Sequence, residues 1–135
     1  MKNIIQSPLV FIDTHIAIFL LKNDIQISKK AREQIDIAYE NNCLYLPLIS
    51  KLEIEYLFEI GRLKLNSQDI LSLLKKEINL TIYNSDYLEV INEANKIKWT
   101  RDPFDRLIVA EALLYNSILI TKDIKILKNY KSAIR

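Results

Sequence analysis

The chain has 135 residues, half of them hydrophobic and about a quarter charged, with one glycine and three prolines; this is the balance of one folded, helix-rich domain over residues 1–135 and excludes a disordered or fibrous segment. A formal charge of +2 is too small to identify a nucleic-acid partner by field alone. The single Cys43 excludes an internal disulfide and, with no Cys/His cluster, a zinc site, so a cytoplasmic setting is expected. The N-terminus begins basic and apolar, but Asp13 and His15 interrupt the hydrophobic run and no small-residue cleavage site follows, so neither a signal peptide nor a membrane span is expected.

In chain order, LVFID (9–13) reads as a strand and THIAIFLLK as the helix it runs into. A polar helix from Ser28 to Asn42 leads to a second strand in CLYLPLI, and Ser50 is expected to cap a helix that runs to Leu63 and is broken by Gly61. Helices near Ser67–Glu77 and Ser85–Lys98 flank a strand in LTIY. Asp102-Pro103 then opens a long apolar helix to Asn116, followed by the strand SILIT and a short basic helix. This alternation predicts a three-layer α/β/α fold with a central, mainly parallel sheet, and such sheets take ligands beyond the carboxyl ends of their strands.

The acids fall at that edge. Asp13 closes the first strand and Asp123 lies just past SILIT, although either alone is equally a helix cap. On a projection of about 100° per residue Glu53 sits in the apolar stripe beside Leu57 and Ile60, opposite Lys51, Glu55, Glu59 and Arg62. A buried carboxylate there requires a cation, a metal or a basic partner, and its own helix face offers no basic residue. Asp102 suits an N-cap before Pro103; Asp105 projects between Val109 and Ala112, towards the sheet.

Together VFIDTHIAIFLL, SKLEIEYLFEIGRLKL, RDPFDRLIVAEAL and ILITKD, in this order and spacing, resemble the PIN-domain family, and in particular the VapC-type toxins of bacterial toxin-antitoxin pairs. The likeness spans nearly the whole chain, and DPFDRLIVA is its most specific part. It implies a PIN-like fold and a metal-dependent endoribonuclease. The metal-site acids it implies correspond to Asp13, Glu53, Asp105 and Asp123; Asp102, outside that set, is read from its position as a cap or an accessory acid. The likeness also implies an RNA substrate, products with a 5′-phosphate and a 3′-hydroxyl, a small cognate antitoxin and a homodimer. Lys122, Ile124 and Lys125 surround Asp123 where the family often has a further polar residue, which leaves a second metal position open.

An all-oxygen set of this kind suits Mg²⁺ or Mn²⁺, and such ions acidify a bound water and stabilise charge on a phosphoryl group. Thr14, His15, Arg101, Arg106 and Lys122 flank the acids and are candidate substrate contacts; Thr14 and Thr121 serve equally as caps or as partners of the carboxylates, whereas capping is the expected role of Ser50. From Lys122 onward five basic residues stand against Asp123 alone, a pattern that fits either a solvated helix face or a phosphate strip. Trp99 and the tyrosines suit core packing or base stacking. The lone Gly61 excludes P-loop and dinucleotide fingerprints, and His15 at position 15 removes the second acid of an aspartyl-phosphate site. The rival from another class is a non-catalytic PIN-like module that binds RNA or protein.

Overall fold

The computed structural model describes residues 8–22 and 27–135. Residues 1–7, the basic and apolar start for which no signal peptide was expected, lie outside the described residues. Strands β1 (Val10–Ile12), β2 (Leu44–Leu46), β3 (Thr81–Ile82), β4 (Ile118–Ile120) and β5 (Ala133–Ile134) form one sheet of order β3-β2-β1-β4-β5, every pair parallel. The expected mainly parallel sheet is therefore parallel throughout. Helices α1 (Thr14–Leu21), α2 (Lys29–Glu40), α3 (Ser50–Glu59), α4 (Ser67–Ile78), α5 (Tyr87–Lys96), α6 (Pro103–Leu114) and α7 (Ile124–Asn129) make the connections.

Alternation along the strands divides the interior into two cores. Val10, Ile12, Leu44, Leu46 and Ile120 face α1–α4, packing on Ile16, Ala31, Ile35, Ile54 and Leu74. Phe11 and Leu119 face the other way, onto Val90 and Ala94 of α5, Ile108 and Val109 of α6 and Ile126 of α7. The result is the three-layer α/β/α arrangement. Each fully buried aliphatic side chain contributes about 1.5–3 kcal/mol relative to an exposed one.

Helix ends follow local chemistry. Ser28, Asn66, Asp86, Asp102 and Asp123 each accept a backbone N–H from the first turn of α2, α4, α5, α6 and α7. Ser50 does not cap α3: Ile49 holds the N-cap position without a side-chain bond, and Ser50 is the first helical residue, its hydroxyl turned inward. Asn42, Asn79 and Asn116 take the left-handed conformation after α2, at the end of α4 and after α6, a role in which asparagine replaces glycine; Gly61 does the same after α3. The low glycine content thus reflects asparagine at helix ends.

β1 and β4 are neighbours in space but are reached by connections that leave in opposite directions, β1 towards β2 and β4 towards β5. A crevice opens beyond the carboxyl ends of strands at such a switch. Asp13 and Thr121 immediately follow these two strands. Among the described residues no helix is long and apolar enough to cross a membrane.

Candidate functional site

Asp13 continues the sheet ladder for one step, its N–H donating to the Ile120 carbonyl at 2.9 Å, before α1 begins. It is 6% exposed, and its side chain makes no helix-capping bond. Instead Oδ2 accepts the Thr121 hydroxyl at 2.6 Å. Burial pushes the Asp13 carboxyl above the usual carboxylate range, the Thr121 hydroxyl, the neighbouring His15 charge and the His15 backbone N–H oppose this, and repulsion from Asp123 adds to it. The same Thr121 oxygen accepts the Asp123 N–H at 3.1 Å, and Asp123 Oδ1 caps α7 through Ile126. Asp123 is therefore a cap that also stands within electrostatic reach of Asp13 and Asp105.

Glu53 lies in the first turn of α3 and is 7% exposed, as its place in the apolar stripe predicts. Its neighbour is contributed by another helix: His15 Nε2 of α1 lies 3.7 Å from Oε2. Among the described residues Oε1 is buried with no hydrogen-bond partner. Burial raises the Glu53 carboxyl above its ordinary range, with repulsion from Asp13 and Asp102 in the same sense; the Thr14 hydroxyl and His15 oppose it. Thr14 is fully buried and shares a 2.8 Å hydrogen bond with Ser50 Oγ. Of the roles open to Thr14, the structure favours that of a partner to a pocket carboxylate, beside Glu53.

Asp102 caps α6, its Oδ1 accepting from the N–H groups of Phe104 and Asp105. Asp105 is pushed up to about 7, first by burial and then by Asp102, Asp123, Asp13 and Glu53. That list is the sharpest description of the site: the acids from four separate stretches of chain act on one carboxyl. Among the described residues no three acid, histidine or cysteine side chains form a preformed metal cage. The donor set nevertheless fits a hard divalent cation, being all oxygen and including a buried carboxylate oxygen without a partner.

The flanking cations divide. Arg106, expected at the substrate, sends Nε and Nη2 to the Ala94 carbonyl at 3.2 and 3.1 Å and so ties α6 to α5. Arg101 and Lys122 are exposed beside Asp102 and Asp123, and His15 is half-exposed at the edge of the cluster.

Sequence reasoning missed Glu111. It is 1% exposed in the middle of α6, where Oε1 accepts the Leu48 N–H at 2.6 Å and Oε2 accepts the Ser85 hydroxyl. Burial raises its carboxyl, and the two donors oppose that rise. The signal was present: an acid inside the run LIVAEALL breaks apolar patterning in the same way Glu53 does. Glu111 borders an apolar cleft of about 440 Å³ between α3, α5 and α6 that also includes Leu48, Ile49, Leu52 and Leu107, and none of the clustered acids lines it.

A three-layer fold with carboxylates gathered at the switch point of an all-parallel sheet defines a class of α/β protein with an acidic crevice. The PIN domain family model matches residues 10–132, and the chain belongs to that family. Among solved structures it is similar to VapBC2 from Rickettsia felis bound to a promoter DNA fragment (TM-score 0.64, 16% identity, covering 93% of this chain and 96% of that one). It is also similar to DNA-bound VapBC from Salmonella typhimurium (0.61, 16%, 95% and 96%) and to a toxin-antitoxin complex from Klebsiella pneumoniae (0.56, 18%, 93% and 96%). No curated protein matches the chain in sequence.

Proposed function

We propose that this chain is a metal-dependent endoribonuclease, a single PIN-like domain that acts as the toxin of a VapC-type toxin-antitoxin pair. The reading is carried by Asp13, Glu53, Asp102 and Asp123 standing within electrostatic reach of Asp105, with one Glu53 oxygen buried and unsatisfied among the described residues. Buried carboxylates without partners are costly unless a cation joins them.

In this reading Asp13 and Asp105 are the principal ligands of Mg²⁺ or Mn²⁺, Glu53 is a ligand or water-positioning base, Asp123 is an outer ligand or orienter, and Asp102 is an accessory acid. The ion, when bound, acidifies a water and neutralises charge on the scissile phosphate. The protein's part is to hold the acids in place: Thr121 orients Asp13, and Thr14 and His15 flank Glu53. Exposed Arg101 and Lys122 offer positive charge to an RNA backbone that the acidic crevice would otherwise repel. Likeness to toxin-antitoxin complexes supports a small antitoxin partner, and the family resemblance a homodimer in the cytoplasm.

The test is incubation of the purified protein with fluorescently labelled single-stranded RNA in Mg²⁺, Mn²⁺ or excess EDTA, with Asp105→Asn alongside. Cleavage that needs metal and disappears in the variant is expected. Full activity in a folded Asp105→Asn protein would remove that residue from the site. Absence of both cleavage and calorimetric Mn²⁺ binding in the wild type would favour the non-catalytic module.

A further inference from the structure

Glu111 is a buried carboxylate for which the proposed chemistry has no use. Burying an acid in the middle of an apolar helix face opposes folding unless its oxygens are satisfied, and here both are: by the Leu48 N–H and by the Ser85 hydroxyl. These donors belong to different loops. Leu48 lies between β2 and α3, two residues before α3 begins, and Ser85 lies between β3 and α5. One side chain of α6 therefore fastens two loops at the carboxyl edge of the sheet.

The location gives this clasp its consequence. α6 carries Asp105 six residues before Glu111, about 9 Å along the helix axis at 1.5 Å per residue. α3 carries Glu53 in the turn that Leu48 introduces. Between α3 and α6 lies the cleft of about 440 Å³, bordered by Leu48, Leu52, Leu107 and Glu111. α3 and α6 meet directly through Tyr56 and Phe104, whose ring centroids are 5.7 Å apart; beside that contact the cleft leaves their spacing unfilled by side chains, and there a directional hydrogen bond adds to the packing.

We propose that Glu111 is a positioning residue that, through Leu48 and Ser85, sets the separation between Glu53 on α3 and Asp105 on α6. The proposal rests on the reading of those two acids as metal ligands. Glu111 touches neither acid and acts through the loop it holds.

Four proteins test it: wild type, Glu111→Leu, Glu111→Gln and Ser85→Ala, compared by Mn²⁺ calorimetry, by kcat and KM on labelled RNA, and by amide hydrogen exchange. Glutamine still accepts from Leu48 and pairs with Ser85, so Glu111→Gln should bind Mn²⁺ close to wild type. Glu111→Leu should bind it about ten- to a hundredfold more weakly, as for loss of an orienting partner behind a ligand. Its kcat should fall while KM for RNA holds, and exchange should quicken at Leu48, Leu52 and Glu53 but not in α7. Wild-type metal affinity in a folded Glu111→Leu, or equal damage in Glu111→Gln, overturns the proposal. If Glu111→Leu does not fold, Ser85→Ala, which removes one arm only, carries the test: weaker Mn²⁺ binding supports the clasp and unchanged binding overturns it. A wild type that binds no Mn²⁺ defeats the nuclease reading instead. Hydrogen exchange then judges the clasp alone, quickening in Glu111→Leu but not Glu111→Gln supporting it and unchanged protection overturning it.

Discussion

The Thr121 hydroxyl donates to Asp13 Oδ2 at 2.6 Å, a buried bond between residues 108 apart in sequence that joins the ends of the central strand β1 and its neighbour β4. Thr121→Val keeps the shape and removes the donor. Leaving a buried acceptor short of a partner costs about 1–3 kcal/mol, so the urea midpoint should fall accordingly. Because the hydroxyl opposes the burial-driven rise of the Asp13 carboxyl, its loss also lets protons compete better with metal. Mn²⁺ titrations should show a deficit that widens as pH falls; a deficit equal at all pH values would separate Thr121 from the charge state of Asp13.

Asp105 gives the protein a pH dependence of definite sign. Its carboxyl is raised to about 7 in the fold from an ordinary 3.8, so between those values the native chain holds a proton the unfolded chain has released. Stability of the metal-free protein therefore falls as pH rises through that window. The raised Asp13 and Glu53 carboxyls act in the same sense. Asp105→Asn should lose less stability than wild type between about pH 5 and about pH 8 in urea unfolding. Equal losses would mean that Asp105 titrates normally.

Glu53 should be a liability without metal and an asset with it. Glu53→Met removes the unsatisfied Oε1 and fills the same space, and should raise metal-free stability by about 1 kcal/mol. Excess Mn²⁺ should reverse the ranking, since binding to the native state stabilises only the protein that retains the ligand. Thermal melts of both proteins with EDTA and with Mn²⁺ provide the comparison.

Arg106 should matter to the fold and not to RNA. Lysine cannot reproduce the fork on the Ala94 carbonyl, so Arg106→Lys should cost about 1 kcal/mol with RNA binding intact. Exposed Lys122 is the contrast: if it meets a phosphate, Lys122→Gln leaves stability alone and lowers the salt slope of RNA binding by about 0.7. Fluorescence anisotropy across a salt series, in EDTA, reads both.

Periodicity and caps disclosed most of the architecture, because the first four strands are apolar runs between well-signalled helices. β5 escaped: Ala133–Ile134 is two residues long, and its place at the sheet edge is made by the β4 backbone. The burial of Glu53 could be read from its own helix, whereas its neighbour His15 could not, since α1 meets α3 only in the fold. Ser50 and Arg106 were misplaced for the same reason. A hydroxyl or guanidinium beside a helix start suits capping or phosphate equally well in sequence, and only Thr14 and Ala94 decide between them. Glu111 was legible and overlooked, because its run was read for length rather than for the acid inside it.

β1 is paired on both sides and interlocks two cores, Val10 and Ile12 in one and Phe11 in the other. A slip by one residue would exchange those faces and expel both sets of side chains from their layers. Asp13 is fixed by the same register, so the crowded carboxylates have no sliding route away from one another. The chain thus carries a local frustration that its own backbone cannot discharge, and relief has to arrive from outside the polypeptide, as a proton or a cation.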